Sequence, residues 1–453
     1  MYPDDEACKR ANTLYILWTR NLRQCSADHI AAKLAAQHRQ EIPTKAIHCR
    51  DGAYNRCYRI TFQKGPDAIV RFPIMGRVAL RKEKINDEVA VMAYIAQSTS
   101  IPIPAVRGNG VSGSGPYIVM DFVSGNLLSD HLQAPLRDNR EPAILDPGIS
   151  EHKLRAAYRQ MAYIILKLHR CQFSHIGSLV KDDRGGWSIG TRPFTHNINE
   201  LLTYANFPPS AMPQGTFSTA TEYFLSLSEI HMQHLKTQRN NAVYNEADCR
   251  RKYVARCLFR RIARNFSTSY NNGPFSLFCD DLRPSNVIVD SNLDIKAVID
   301  WEFCYAAPAE FTHCSPWWLL LANPDDWPGG LNDFATQYMP RHNVFLDVLR
   351  ECERELAYDI TIDHTLSERM QQSMDNGDFW VCLAARSSFA FDDIYWNFID
   401  QRYYGEFTTL EDRVELLEKS ERAELDRFFK QKTEQAAERK LDPYWTVDEI
   451  IAS

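Results

Sequence analysis

The sequence predicts an α+β fold with a small antiparallel β lobe ahead of a larger, mostly helical lobe. Three observations carry this. Arg56–Phe62 and Ala68–Phe72 are β-rich runs on either side of the turn Lys64-Gly65-Pro66-Asp67. Beyond residue 124 the apolar residues recur at helical spacing, as in Leu154, Tyr158, Met161, Ile165 and Leu168. A last hairpin joins Val287–Val289 to Ile295–Ile299 through Asp290-Ser291-Asn292-Leu293-Asp294.

The length of 453 residues suits two or three domains or one two-lobed enzyme, and an apolar share of 44% is ample for a core. A net charge of −6 offers no general attraction to nucleic acid or to an anionic membrane. The twelve cysteines form no C-x-x-C pair and no zinc-ligand spacing. With no apolar leader in MYPDDEACKR, they point to a reducing compartment, and the expected setting is cytoplasmic. No apolar stretch approaches the ~18 residues of a transmembrane helix.

Taken in order, residues 11–40 read as helical, with Ser26 as N-cap for Ala27–His38. Asp51-Gly52-Ala53-Tyr54-Asn55 is a turn whose N–H groups point to phosphate, although one glycine alone is weak evidence. Leu80–Ser98 reads as a helix that aligns Ile85, Glu88, Met92 and Ile95 on one face. Glu88 in that apolar stripe needs a partner, and Arg71 on the strand Ile69–Pro73 is the natural one. An exposed strand Arg and a Glu at the edge of its stripe are the plainer alternatives. Tyr117–Val123 is a buried-type strand. Ser150 caps the helix that bears Leu154, and Gln133–Gly148 reads as a loop. Glu222–Lys236 and Asn245–Phe266 are helices, the second rich in arginine and expected to be a solvated face.

The focal stretch is FCDDLRPSNVIVDSNLDIKAVIDWE, Phe278–Glu302. Antiparallel strands lie ~5 Å apart, so folding the hairpin brings its open ends together. Asn286 precedes the first strand, Asp300 follows the second, and Asp281 lies one tight loop upstream. Two carboxylates and a carboxamide at one sheet edge make a hard oxygen set suited to Mg²⁺ shared with phosphates. A surface hairpin with acidic turns is the bland alternative, and it leaves unexplained why the acids flank the strands.

Asp281-Leu282-x-x-x-Asn286, the run Ile299-Asp300-Trp301-Glu302 and the hairpin between them resemble the aminoglycoside phosphotransferase-like family, which includes choline and homoserine kinases. The resemblance implies a two-lobed protein-kinase-like fold that uses ATP and Mg²⁺. It implies that Asp281 takes the proton of a small-molecule hydroxyl acceptor, and that Asn286 and Asp300 hold the metal. Gly52, Asn55, Arg71, Glu88, Met120 and Phe122 become nucleotide-binding candidates. Arg71 stands where the family has a strand Lys, and backbone near Met120 and Phe122 meets adenine. Cys279 replaces the usual His, and Asp280 adds like charge beside Asp281.

The resulting boundaries are a helical extension at 1–45, a nucleotide-binding small lobe at 46–123, a catalytic and acceptor-binding large lobe at 124–407 and a charged helical tail at 408–453 that reads as a surface or partner-binding element. The direct junction of Asp300 with Trp301-Glu302 argues against a protein acceptor. Two rival readings stay open. One is a catalytically weak nucleotide-binding pseudokinase, favoured by Cys279, Arg71 and the single glycine. The other is a choline- or ethanolamine-type kinase, in which Trp301, Trp317, Trp318, Trp327, Trp380 and Trp396 would cage an ammonium group. Asp363, Asp392 and Asp393 are acids that would suit a polar acceptor.

Overall fold

The computed structural model describes residues 1–135, 143–356 and 365–452. Two helices lead, α1 (Asp5–Gln24) and α2 (Ala27–Arg39). Asp4 caps α1 by accepting the Glu6 and Ala7 N–H groups, and it also accepts the Asn240 N–H at 2.9 Å. The extension is therefore tied to the large lobe as well as to the small one. Ser26 stands at the N-cap of α2 but makes no capping bond. Its φ of 53° turns the chain sharply between the two helices, which a β-region cap would not do.

The small-lobe sheet is antiparallel and holds β1 (Pro43–Asp51), β2 (Asn55–Phe62), β3 (Ala68–Pro73), β4 (Val106–Ser112) and β5 (Gly115–Asp121). Their spatial order is β1-β2-β3-β5-β4. Alternation along the strands gives the sheet two apolar faces. Tyr58, Ile60, Phe62, Val70, Phe72, Tyr117 and Val119 pack with Trp18, Leu22 and Leu34 of α1 and α2. Ile118 and Met120 turn the other way, toward Ile85, Met92 and Ile95 of α3 (Arg81–Ser98).

In the large lobe β6 (Asn126–Leu127) leads to α4 (Glu151–His169), whose cap Ser150 accepts the Lys153 N–H. Then come β7 (Gln172–Phe173), the hairpin β8 (Ser178–Lys181) and β9 (Trp187–Thr191), α5 (His196–Tyr204), α6 (Ala220–Thr237) and α7 (Glu246–Phe266). β10 (Phe275–Cys279), β11 (Val287–Val289), β12 (Ile295–Val298) and β13 (Cys304–Ala307) form two small sheets, β13-β10-β7 and β12-β11-β6. Among the described residues no helix is long and apolar enough to cross a membrane.

Several expectations change. The basic row of α7 is a solvated face only in part: Arg251 and Arg264 are exposed and Arg260 and Arg261 pair with Glu421, but Arg256 is fully buried and bonds Asp392. Asp392 is thereby committed to the core and closed to an acceptor. The charged tail is packed as well, with Leu425, Phe428 and Lys432 of the helix Lys419–Ala437 buried. The tryptophans form no shared cage: Trp301 and Trp318 lie in the core, Trp380 stacks on Phe398, and Trp396 sits under Arg251. Asp363 and the middle of the 133–148 loop lie outside the described residues.

Candidate active site

Apolar residues on β11 and β12, most of them β-branched, pair as Val287↔Val298 and Ile288↔Ala297. The Ile299 N–H donates to Asn286 O at 2.8 Å, which fixes the open end of the hairpin. Asn286 then donates its amide to Asp281 O at 2.8 Å and to Asp281 Oδ2 at 3.2 Å. At the other strand end Asp300 adopts φ 57° and Phe303 φ 56°. These left-handed conformations are unusual for residues with a side chain, and they turn the Asp300 carboxylate into the cleft.

Asp281, Asn286 and Asp300 line one cleft of about 1250 Å³, counted with its open mouth, together with Gly52, Asn55, Arg71, Met120 and Phe122. Glu88 stands behind that wall, where Arg71 bonds it and Asp300 at once. Gly52 closes the β1–β2 turn through its N–H to Asn55 O at 2.8 Å, and a side chain there would meet only ordinary contact. The glycine is not sterically required.

Two nucleotide-binding candidates have polar groups already engaged. Asn55 touches the cleft, but its carboxamide is engaged, donating to Glu302 Oε2 at 2.8 Å and accepting from Lys84 Nζ at 2.9 Å. The Phe122 N–H donates to Asp67 O at 2.9 Å, and the Asp121 N–H to Ala105 O at 3.0 Å. These two donors are closed to a base, because the chain crosses onto neighbouring strands there.

Sequence reasoning missed Lys84, Tyr54 and His196. Lys84 is fully buried, bonds Glu302 and stands 4.0 Å from Glu88 one turn away. Its i,i+4 spacing from Glu88 was the available signal. Tyr54, at the tip of the β1–β2 turn, shares a 2.6 Å hydrogen bond with His196 Nε2 at the start of α5. No local pattern announces that contact across the cleft.

The electrostatics follow from this wiring. Burial raises the Asp281 carboxyl above its ordinary value, opposed by Arg283, whose Nε stands 3.0 Å away; Glu302 adds to the rise. Asp280 is turned aside, accepting the His196 N–H at 3.2 Å and facing Arg386 at 3.5 Å. The like charge bearing on Asp281 is thus Glu302. Burial also lifts Asp300 to about 6 against the pull of Arg71. Burial acts upward on Glu302, but Lys84 and Arg71 outweigh it and leave the carboxyl below its usual value. Cys279 lies opposite Cys304 on β13 and donates its thiol to Glu302 O at 3.5 Å; the Cys304 thiol beside it and burial raise its pKa well above the ordinary thiol value.

The oxygens fit a metal shared with a ligand. Asn286 uses only its nitrogen on Asp281, and Arg71 takes one Asp300 oxygen. Among the described residues no three His, Cys, Asp or Glu side chains could hold an ion alone. A hard cation would complete its shell with phosphate and water.

Several yeast proteins named "Altered inheritance of mitochondria protein 9, mitochondrial" are similar to this chain. That of Debaryomyces hansenii is 25% identical over 312 residues, 58% of this chain and 47% of that protein. "Clavilactone A biosynthesis cluster protein Y" of Ampulloclitocybe clavipes is 22% identical over 315 residues, 65% of this chain and 71% of that protein. The chain spans about half the length of the Debaryomyces relative or of its Clavispora lusitaniae counterpart. A structure entitled "Macrolide 2'-phosphotransferase type I" overlaps 83% of this chain and 95% of its own at 12% identity and a TM-score of 0.42. The GDP complex of an aminoglycoside 2'-phosphotransferase-IIIa variant overlaps 91% and 100% at 12% identity and a TM-score of 0.43.

The mitochondrial names overturn the cytoplasmic expectation. Free thiols, here all twelve, call for a reducing compartment and do not say which one. The two-lobed arrangement, with the hairpin acids at the interlobe cleft, is the protein-kinase-like fold. The sequence profile of the phosphotransferase enzyme family matches residues 46–311, more than half of the 453, and the chain belongs to that family.

Proposed function

We propose that the protein transfers the terminal phosphoryl group of Mg·ATP to a hydroxyl of a small molecule. The observation that carries this reading is the convergence of Asp281, Asn286 and Asp300 on one cleft beneath the β1–β2 turn. Asp281 would accept the hydroxyl proton as the acceptor oxygen bonds phosphorus and ADP leaves. Asn286 and Asp300 would hold Mg²⁺, which would supply neutralisation of the phosphate charge. Arg71 would hold the α- and β-phosphates through its planar fork, after ceding Asp300 to the metal. The Val123 N–H, which has no bond among the described residues, is the open donor for adenine. The mitochondrial names of the yeast relatives support a mitochondrial setting.

Incubation with γ-labelled ATP and a pool of metabolites, followed by identification of the labelled product, tests the reading. Asp281→Asn should lower transfer roughly 10²–10⁴-fold while nucleotide binding persists. Asp300→Ala should weaken Mg·ATP binding itself. Unchanged transfer in the first together with unchanged binding in the second would refute these roles. The Arg71–Asp300 contact also favours a nucleotide-binding pseudokinase, since it occupies a metal-facing carboxylate. That reading predicts nucleotide binding without labelled product.

A further inference from the structure

Arg81 is the first residue of α3 and is 2% exposed. Its Nη2 donates to Ile451 O at 3.1 Å, while Nε and Nη1 have no hydrogen-bond partner among the described residues. Buried charges are ordinarily paired, so a guanidinium with two open donors is an exception that asks for a ligand. Burial, with no acid to offset it, brings its pKa down to about 10.

The side chain lines a cavity of about 900 Å³, counted with its open mouth, between α1, the start of α3 and the β4–β5 turn. Lys82 brings a second cation, and among the described residues no acid lines the space. The N-cap of the 18-residue helix α3 is Leu80, which supplies no side-chain cap. The positive end of the helix therefore adds to the two cations. Gly115 keeps the place open: with φ +109°, a Cβ there would stand 2.5 Å from Arg81 Nη1. The rim is apolar and wet, with Leu17 57%, Val111 64% and Ile451 52% exposed. None of the lining residues belongs to the interlobe cleft.

We propose that this cavity binds an amphiphilic oxyanion, its phosphate or carboxylate head on Arg81 and Lys82 and its alkyl part across Leu17, Val111 and Ile451. A cationic floor under an apolar rim matches that chemistry and neither a neutral lipid nor a bare ion. The size lies within the ~300–1,000 Å³ usual for small-molecule sites.

Calorimetric titration with hexyl phosphate tests the proposal, with inorganic phosphate and hexanol each carrying half of the ligand. The protein should bind hexyl phosphate at least tenfold more tightly than either, and saturating Mg·ATP should not displace it. Arg81→Gln should weaken binding tenfold or more and still melt cooperatively, because it removes an unpaired buried charge. Lys82→Glu, at an exposed position, should weaken it as well and serves should the first variant misfold. No saturable binding, undiminished binding by either folded variant, displacement by Mg·ATP, or equal affinity for inorganic phosphate overturns the proposal. Co-sedimentation with phosphatidic-acid vesicles, absent for phosphatidylcholine, would name a membrane lipid as the source. Hexyl phosphate binding without co-sedimentation would name a free amphiphile, and either result upholds the site.

Discussion

Arg71 is ion-paired to Asp300 across 229 positions of sequence, and its other terminal nitrogen bonds Glu88. One guanidinium thus joins β3, α3 and the turn after β12. Arg71→Met would leave Glu88, 1% exposed, with only Lys84 at 4.0 Å as a counter-charge, and breaking such a buried pair costs up to about 3–5 kcal/mol. Arg71→Lys keeps the charge but loses the two-pronged geometry, so it should fall between. Urea denaturation of the three proteins checks the order, and a cost below about 1 kcal/mol for the Met variant would show the pair to be idle.

Lys84, Asn55 and Glu302 form a closed buried triangle that ties α3 to the residue two beyond Asp300. Lys84→Met should destabilise by about 3–5 kcal/mol, since Glu302 loses its cation. Adding Glu302→Gln should restore part of the loss, as the orphaned charge goes with it. Strictly additive losses in a double-mutant cycle would dissolve the triangle.

Asp392 offers a pH prediction. Burial pushes its carboxyl up, but Arg256 together with the Met1 amino group and Lys252 outweighs this and holds it at about 2, against an ordinary 3.8. The folded value is the lower one, so the stabilisation is present above pH 3.8 and is lost as pH falls toward 2. At about 1.36 kcal/mol per pH unit this comes to about 2 kcal/mol. Melting curves from pH 5 to 2.5 should fall less steeply for Arg256→Met/Asp392→Leu than for the wild type. Parallel curves would remove the pair from the acid response.

The Tyr54–His196 bond pins the turn of β1–β2 to α5 across the mouth of the cleft. Tyr54→Phe should cost only about 1 kcal/mol in global stability. Its main effect should be faster amide exchange in residues 51–55, measured by hydrogen exchange. Unaltered exchange there would mean that the turn is held by the Arg56–Asp51 pair instead.

What the sequence made legible were features set by neighbours in the chain. The hairpin of β11 and β12 follows from turn chemistry and β-branching, and with it the meeting of Asn286 and Asp300. Glu88 declares its need for a cation because 3.6 spacing puts it on an apolar stripe. Lys84 carries a similar signature, yet its partner Glu302 is 218 residues further on (302 − 84) and only the folded chain supplies it. The engaged donors of Asp121 and Phe122 depend on which strand lies beside β5, and Ser26 departs from its cap because α2 must fold back on α1. The arginines of α7 look solvated in sequence because the acids that meet them belong to the last quarter of the chain.

That last quarter carries a consequence for anyone trimming the protein. The helix Lys419–Ala437 lays Leu425 and Phe428 onto the body, and Lys432 Nζ caps carbonyls of Lys236 and Gln238 at the end of α6. A fragment cut at residue 407 would strip a greasy strip bare and leave Arg260 and Arg261 of α7 without Glu421. Such a truncated product should clump and resist purification, so the apparent appendage is a structural wall of the enzyme-sized unit.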